Sequence, residues 1–268
     1  MINLRKTSGL PVEVDEHYHL KLNPTAVANG QRRFSRKFSE MTVALLEPDV
    51  KSPAEITYEV YGGVHLAEHE SIIKNHHLTY DITILPSMML GKEYNKTIGH
   101  YHANIPGTTI AHPELYEVLH GRGLFLLQKM DLEFQNLITV LAIEGTAGDK
   151  IIYPPNYGHI MVNIGDEPLI MANWLSTDYK ALYEPVKEKH GMALYVVKGH
   201  DGKPTFVKNK NYIDQPMMRK MIIGDKLFSN FGLVPGEPMY TTAMRDPKIL
   251  EFLNHPEKYA VQLSALSS

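Results

Sequence analysis

The chain has 268 residues, a formal net charge of −3 at pH 7 and no cysteine, which excludes disulfides and thiolate chemistry. The small net charge gives no reason to expect nucleic acid or an anionic membrane as a partner. No apolar run reaches the roughly 18 residues of a membrane span, and Met1 to Lys6 lacks the apolar core of a signal peptide, so we expect a cytoplasmic protein.

Residues 1–55 are expected to form an N-terminal arm. Gly30 to Lys37 is basic and is interpreted as a solvated surface turn, with a contact to an anion or to another subunit as the alternative. His17 and His19 form a His-x-His pair, but no matching Glu or Gly frame follows it, so a structural role is favoured over a metal site. A helix is predicted from Phe38 to Leu46, where a proline follows shortly after.

Residues 56–213 contain short β-branched and aromatic segments separated by Gly, Pro and Asp turns. This pattern predicts a sandwich or barrel, and no long crossover helix indicates a parallel α/β sheet. The predicted strands are Ile56–Tyr61, Leu78–Leu85, Tyr94–His102, Leu115–Leu119, Gly123–Lys129, Leu137–Ile143, Lys150–Tyr153, His159–Asn163 and Leu169–Leu175. A hairpin is predicted from Met192–Lys198 and Pro204–Lys208, because Gly199 to Gly202 is a turn sequence.

Residues 214–268 are expected to form a C-terminal extension without a catalytic pattern. A short helix is predicted from Asp246 to Leu253, with Asp246 as its N-cap and Pro247 in its first turn. The last residues, Gln262 to Ser268, are expected to fray.

The stretch Gly99 to Asn163 carries the most specific pattern in the chain. His100 and His102 are two residues apart on a predicted strand, so both imidazoles point to one face. Glu114 and His159, from neighbouring strands, could meet them there. Three His and one Glu are a ligand set for a divalent transition metal, with positions left open for water or substrate.

The spacing of these residues is similar to the two sequence motifs of cupin β-barrels. Glu114 and Gly121 keep the six-residue step of the first motif, and the second motif is kept by Gly148, Pro154, His159 and Asn163. Asn156 stands where the family has Gly, and Asn tolerates positive φ better than other non-Gly residues. Between His102 and Glu114 there are eleven residues instead of three or four, and the extra ones are expected to form a lid at the barrel mouth.

Over residues 56–213 the chain resembles the cupin-type phosphoglucose isomerases described first from archaea. The resemblance is carried by Thr57–Tyr61, Gly91–Glu93, Thr97–Ala103, Pro113–Tyr116, Gly121–Gly123, Leu126–Gln128, Tyr153–His159 and Val162–Pro168. It implies an all-β cupin barrel, a double-stranded β-helix or jelly roll, with an N-terminal arm and a C-terminal extension. It also implies a homodimer that interconverts glucose 6-phosphate and fructose 6-phosphate with one divalent ion per subunit, which would be Fe, Mn, Ni or Zn.

The same resemblance implies roles for individual residues. The implied metal ligands are His100, His102, Glu114 and His159, and Glu114 is also the implied catalytic base. The implied substrate-binding residues are Tyr58, Thr83, Thr97 and Gly99 on the phosphate side, together with Tyr116 and Tyr183. The chain departs from the family at Leu175 and Ala181, where a Tyr and a His are expected near the substrate, and beyond Asp214, where the short archaeal members have no counterpart.

Several alternatives stay open at this point. The barrel could isomerise another or an unphosphorylated sugar, or it could bind a sugar phosphate without turning it over, although a binding module would not need Glu114. A hydride shift between C2 and C1 is the rival to proton transfer. Glu114 is favoured over His112 and Glu117 as ligand and base, because it keeps the step to Gly121 and Glu117 points to the opposite strand face. His112 and His120 are expected to face solvent.

Overall fold

The computed structural model describes residues 1–27, 33–221 and 229–266. Its strands are β1 (Ile2–Asn3), β2 (Val12–Val14), β3 (Leu20–Leu22), β4 (Ala26–Val27), β5 (Phe34–Lys37), β6 (Ile56–Tyr61), β7 (His65–Leu66), β8 (Leu78–Leu85), β9 (Met89–Leu90), β10 (Glu93–Tyr94), β11 (Tyr101–His102), β12 (Glu114–His120), β13 (Arg122–Met130), β14 (Leu137–Thr146), β15 (Lys150–Tyr153), β16 (Tyr157–Asn163), β17 (Leu169–Ser176), β18 (Ala181–Leu182), β19 (Leu194–Lys198), β20 (Pro204–Lys208) and β21 (Arg219–Met221).

The helices of the described residues are short and lie mostly outside the sheets. The α-helices are α1 (Arg5–Ser8), α2 (Phe38–Met41), α3 (Glu70–Asn75), α4 (Glu184–Glu188), α5 (Met239–Arg245), α6 (Glu251–Asn254) and α7 (Ala260–Ala265), and 3₁₀ turns cover Thr42–Ala44, Ala67–His69, Pro247–Leu250 and Pro256–Tyr259. None of the described helices is long and apolar enough to cross a bilayer.

Two sheets face each other to form the barrel. The six-stranded sheet has the order β15-β12-β17-β8-β6-β5, and the four-stranded sheet has the order β16-β13-β14-β21. Neighbouring strands are antiparallel, except that β21 runs parallel to β14. This is the double-sheeted antiparallel barrel of the cupin jelly roll, so the predicted all-β class is confirmed.

The barrel interior is filled by apolar side chains from both sheets. Tyr116 and Met171 come from the six-stranded sheet, and Phe125 and Met161 come from the four-stranded sheet. Because side chains alternate across a strand, Glu114, two residues before Tyr116 on β12, also points its carboxylate into this interior. The site predicted from the sequence therefore lies between the two sheets.

The outer faces of both sheets are buried as well. Side chains of the arm and the extension form one cluster with the outer face of the six-stranded sheet, and β19 and its surroundings cover the four-stranded sheet. Consequently β8 and β17 are buried at every position, as is usual for strands covered on both faces. The apolar–polar alternation of a half-exposed strand is absent from them for this reason.

Most of the predicted strands occur with nearly the predicted bounds, and the β19-β20 hairpin is confirmed. The predicted continuous strand from Tyr94 to His102 is wrong. Only its two ends are strand, and isolated bridges join Lys96 to Val162 and His100 to His159 between them. Gly99 interrupts the ladder, because its φ of 86° lies in the left-handed region that strands do not use.

The N-terminal segment differs from expectation in two ways. The helix predicted from Phe38 ends after one turn at Met41 and continues only as a 3₁₀ turn to Ala44. The basic segment is also no surface turn where it is described: Phe34–Lys37 is the edge strand β5, paired with β6. Its remaining part, Gly30 to Arg32, lies outside the described residues.

The C-terminal extension contains the predicted helix start. Asp246 accepts a hydrogen bond from the Lys248 backbone N–H, and Pro247 opens a 3₁₀ turn that leads into α6. Of the end expected to fray, α7 extends to Ala265, and residues 267–268 lie outside the described part. The division of the chain at residues 55 and 213 stays a prediction.

Candidate metal centre and substrate pocket

Four side chains converge inside the barrel. His100 and His102 follow Gly99, Glu114 opens β12, and His159 lies on β16 directly across the bridge from His100. One ligand atom from each residue lies within 4.8 Å of the others. His102, Glu114 and His159 are at most 7 % exposed, and His100 is half-buried. The four predicted ligands are therefore brought together in one place.

Hydrogen bonds fix the orientation of two of these side chains. The Nδ1 of His102 lies 2.8 Å from the His112 carbonyl oxygen, and because a carbonyl only accepts, Nδ1 carries the proton and Nε2 offers its lone pair. The Nε2 atom faces Glu114 Oε2 at 3.5 Å. The other oxygen of Glu114, Oε1, accepts from Asn173 Nδ2 at 2.8 Å.

The donor atoms of this group fit a divalent ion. Among the described residues, the buried atoms His102 Nε2, Glu114 Oε2 and His159 Nε2 have no hydrogen-bond partner, although buried polar atoms nearly always have one. Glu114 Oε2 is 3.3 Å from His159 Nε2, and both Oε2 distances suit ligands that share an ion at about 2.0–2.2 Å. A buried group able to bind a metal is thus present.

Burial sets the protonation of the same group. It lowers the pKa of His102 to about 4 and holds the pKa values of His100 and His159 well below the ordinary value. Neutral imidazole is the form that ligates a metal. Burial raises the pKa of Glu114 to about 8, while the Tyr116 hydroxyl opposes this and the Asp81 charge adds to it. A bound cation would favour the charged carboxylate.

A pocket opens beside the four ligands, and all the substrate positions implied by the resemblance lie on its wall. They are Tyr58, Thr83, Thr97, Gly99, Tyr116 and Tyr183, and the pocket is also lined by His100 and Glu114. Strands β6, β8 and β12 supply three of them from the six-stranded sheet. The Gly99 position is narrow, since a Cβ there would lie 2.5 Å from an Ile160 methyl group.

Several wall residues were not predicted from the sequence. Asn173, Asp81 and Tyr179 line the pocket, and Tyr179 places its ring 5.1 Å from the ring of His102. Polar residues inside the otherwise apolar segments of β17 and β8 were the available signal for Asn173 and Asp81. Leu175 and Ala181, the two departures from the family, are not among the described residues that line the pocket.

Arg36 is the second feature that the sequence did not reveal. It lies opposite Tyr58 in the β5-β6 register, donates from Nε to the Tyr58 hydroxyl at 3.2 Å, and holds its guanidinium 5.5 Å from the ring centre of Tyr183. Its side chain is only 15 % exposed. A cationic side chain therefore contacts two residues of the pocket wall, Tyr58 and Tyr183. The sequence predicts a solvated turn for this segment.

The loop before Glu114 is tied to the turn of the second motif. Asn156 has a φ of 68°, as expected for an Asn in a Gly position, and its side chain accepts from the Ala111 N–H at 2.7 Å and donates to the Thr109 carbonyl at 2.9 Å. The Asn at this position thus does more than keep the turn, because it fixes the long loop. The lid function of the loop stays a prediction.

Two expectations for histidines are corrected by the structure. His112 does not face solvent: it is 7 % exposed and its Nδ1 lies 2.8 Å from the Leu253 carbonyl oxygen. The extension, whose position the sequence did not predict, covers it. His120 is only partly exposed, with Nε2 3.1 Å from Glu167 Oε2. His17 and His19 donate their backbone N–H groups to Asp15 and lie outside the four-residue metal group.

A double-sheeted barrel with three His and one Glu in its interior, a group that could hold a metal ion, defines a cupin. Comparison with known proteins narrows this class. The model of the glucose-6-phosphate isomerase (GPI) family matches residues 35–215, and the chain belongs to that family. The resemblance noted in the sequence is confirmed.

Individual relatives agree with this assignment. The glucose-6-phosphate isomerase of Pyrococcus abyssi is 30 % identical over 193 residues, which cover 70 % of this chain and 92 % of that protein. The enzyme of Thermococcus gammatolerans is 28 % identical over 183 residues, covering 67 % and 88 %. Among solved structures, a Bacillus subtilis oxalate decarboxylase variant matches 50 % of this chain and 29 % of its own, with a TM-score of 0.33 and 18 % identity.

Proposed function

We propose that this protein is a metal-dependent aldose–ketose isomerase that interconverts glucose 6-phosphate and fructose 6-phosphate. The observation that carries the proposal is the convergence of four ligand side chains beside a pocket whose wall holds all six implied substrate positions. Membership of the glucose-6-phosphate isomerase family and the names of the relatives support the choice of substrate.

In this proposal His100, His102, Glu114 and His159 hold one divalent ion, which is Fe, Mn, Ni or Zn. When bound, such an ion acts as a Lewis acid that stabilises negative charge on substrate oxygen atoms. Glu114 would carry the proton between C1 and C2 of the sugar, since it is the carboxylate in the group and lies on the pocket wall; because Asn173 holds Oε1, the proton would be taken by Oε2, which must be free of the ion at that moment. Asn173 keeps one carboxylate oxygen in place through its 2.8 Å hydrogen bond.

The phosphate group is proposed to bind on the side of Tyr58, Thr83, Thr97 and Gly99. The Thr97 hydroxyl already accepts the Met161 N–H at 3.1 Å and makes only a weak 3.9 Å contact to the Met161 sulfur, so its proton can be donated to an anion. Arg36, which also forms an ion pair with the exposed Glu40 carboxylate at 3.0 Å, adds a positive charge behind the Tyr58 hydroxyl. Such a charge stabilises a dianion in a partly desolvated pocket more strongly than neutral donors alone.

A coupled assay with fructose 6-phosphate tests the proposal. The protein should form glucose 6-phosphate, should lose this activity after dialysis against a strong chelator, and should regain it with Fe, Mn, Ni or Zn. Full activity in protein shown by elemental analysis to be metal-free would contradict the metal site. Turnover of another sugar phosphate but not of fructose 6-phosphate would favour the second candidate, an isomerase of a different sugar.

The resemblance further supports two proposals about the whole molecule: a homodimer in solution and a cytoplasmic location. Light scattering at several protein concentrations tests the first, and a mass of one chain at all of them would contradict it. Fractionation of cells that make the protein tests the second.

A further inference from the structure

The C-terminal extension is fixed against the outer face of the six-stranded sheet. The Met239 N–H donates to Glu117 Oε2 at 2.9 Å, which ties the start of α5 to the back of the strand that carries Glu114. The ring of Tyr240 stacks on Trp174 with centroids 5.8 Å apart. Leu253, in α6 of the extension, is fully buried in the same apolar cluster. Its backbone position is therefore set by core packing.

Two hydrogen bonds run from this fixed backbone to the metal group. The Leu253 carbonyl accepts from His112 Nδ1 at 2.8 Å, and the His112 carbonyl accepts from His102 Nδ1 at 2.8 Å. Both acceptors are carbonyl oxygens, so both imidazoles carry the proton on Nδ1. Together the two hydrogen bonds connect the Leu253 backbone through His112 to the ring of His102, and they leave the lone pair on His102 Nε2 free to bind an ion.

The surroundings of His102 explain why such support matters. β11 has two residues and pairs, among the described strands, with the two-residue strand β18, whose residues are partly exposed; the preceding residue, His100, is bridged to His159. The segment that follows reaches Glu114 without a described strand. A side chain on so short a strand needs a hydrogen bond at Nδ1 to keep its ring oriented, and outer hydrogen-bond partners of this kind affect metal affinity about 10–100-fold.

We propose that His112 is a positioning residue, and that through it the C-terminal extension sets the orientation of the ligand His102. The inference rests on the metal site proposed above and adds a role for the extension, which lies beyond the family match at residue 215. His112 does not touch the ion or the sugar in this proposal. Its side chain fixes the position of its own backbone carbonyl, and that carbonyl orients the ring of His102.

Two substitutions separate positioning from mere packing. His112→Ala removes the donor to Leu253, whereas His112→Asn retains a side-chain N–H at a similar distance from the backbone. A matched control is His255→Ala, because His255 lines the same groove as His112 but its side chain is 52 % exposed. Metal affinity is measured by competition with a chromogenic chelator, and folding by the thermal midpoint of the metal-free protein.

We expect His112→Ala to bind metal about 10–100-fold more weakly, His112→Asn to recover most of the loss, and His255→Ala to bind as the unaltered protein does. Affinity within twofold of the unaltered protein in His112→Ala would overturn the inference. Equal losses of metal affinity in His112→Ala and His112→Asn, in proportion to their losses in thermal midpoint, would also overturn it.

A second readout does not depend on the metal. In ¹⁵N spectra of the metal-free protein, His102 should be the Nδ1–H tautomer, and His112→Ala should shift it toward a mixture. No change in the His102 tautomer in His112→Ala would overturn the inference. If the unaltered protein bound no divalent ion at all, the proposed metal site would fail instead, and the tautomer measurement would still decide the role of His112.

Discussion

Strand β12 presents two buried carboxylates to opposite faces of one sheet. On the outer face, Glu117 is 1 % exposed, lies 2.8 Å from Lys150 Nζ and accepts the Met239 N–H. On the inner face, Glu114 is 3 % exposed, and its Oε1 accepts a hydrogen bond from Asn173. Its Oε2 faces the imidazoles without a hydrogen-bond partner among the described residues.

Burial alone does not distinguish these two groups. It raises the pKa of Glu114 to about 8 and that of Glu117 to about 7, with Lys150 opposing the rise for Glu117. What differs is the use of the oxygen atoms. The outer carboxylate is satisfied by a cation and a backbone N–H, as a structural group should be, whereas the inner one has an oxygen directed at other metal-ligand atoms. An oxygen directed at other metal-ligand atoms, more than a shifted pKa, distinguishes the inner carboxylate from the outer one.

The strongest way to break this comparison is to neutralise the inner carboxylate. Glu114→Gln keeps the size and one oxygen ligand but removes the base, so we expect kcat to fall by about 10²–10⁴ while metal content falls only partly. The thermal midpoint of the metal-free protein should not drop, because the one Gln oxygen can accept from Asn173 when no ion is bound. Near wild-type kcat in this variant would show that Glu114 is not the base.

The matched change on the outer face should affect stability and leave the chemistry alone. Glu117→Gln leaves Lys150, which is 4 % exposed, as a buried unpaired charge, which costs about 3–5 kcal/mol in the free energy of unfolding. Adding Lys150→Gln removes that charge and should recover part of the loss. Denaturant unfolding measures both variants, and kcat per folded molecule should stay within twofold. A large loss of kcat in folded Glu117→Gln would erase the distinction between the faces.

Strand β8 allows the same comparison for substrate binding. Thr83 lines the pocket, whereas Ile82 packs into the outer cluster. Thr83→Val removes a hydroxyl proposed to contact phosphate, so KM for fructose 6-phosphate should rise about 5- to 150-fold, which corresponds to a loss of about 1–3 kcal/mol. The control Ile82→Val should leave KM unchanged while lowering the free energy of unfolding by about 0.5–1.5 kcal/mol. Unchanged KM in Thr83→Val would remove Thr83 from the phosphate side.

The smallest expected effect is the pH dependence of metal binding, which tests the raised pKa of Glu114. With a pKa of about 8 in the metal-free protein, Glu114 is mostly protonated at pH 7, whereas His102, with a pKa of about 4, is neutral. Metal binding should therefore release about one proton at pH 7, and affinity should fall about tenfold per pH unit as the pH drops below 8. Calorimetry in buffers of different ionisation enthalpy counts the protons. Release of none at pH 7 would contradict the raised pKa.

The sequence predicted the barrel well because its strands are dense in β-branched and aromatic residues with clear turn residues between them. It also predicted that His100, His102, Glu114 and His159 converge and that Asn156 keeps a turn, since both follow from the spacing of the two cupin motifs. It failed where distant segments meet. His112 is buried by Leu253 of the extension, and Arg36 reaches Tyr58 only through strand pairing; neither contact leaves a mark in the spacing of nearby residues.

The outer face of the six-stranded sheet is covered partly by residues that the ribosome makes last, and this affects folding during synthesis. The last strand of that sheet ends at Ser176, but the segment that covers Trp174 and its neighbours includes Leu253. At about 5–20 residues per second, the ribosome needs roughly 4–15 seconds to make the intervening chain. During that interval the arm is already made, but the apolar side chains around Trp174 lack the cover that the extension supplies, so we expect the nascent chain to be prone to aggregation until its C-terminal residues emerge.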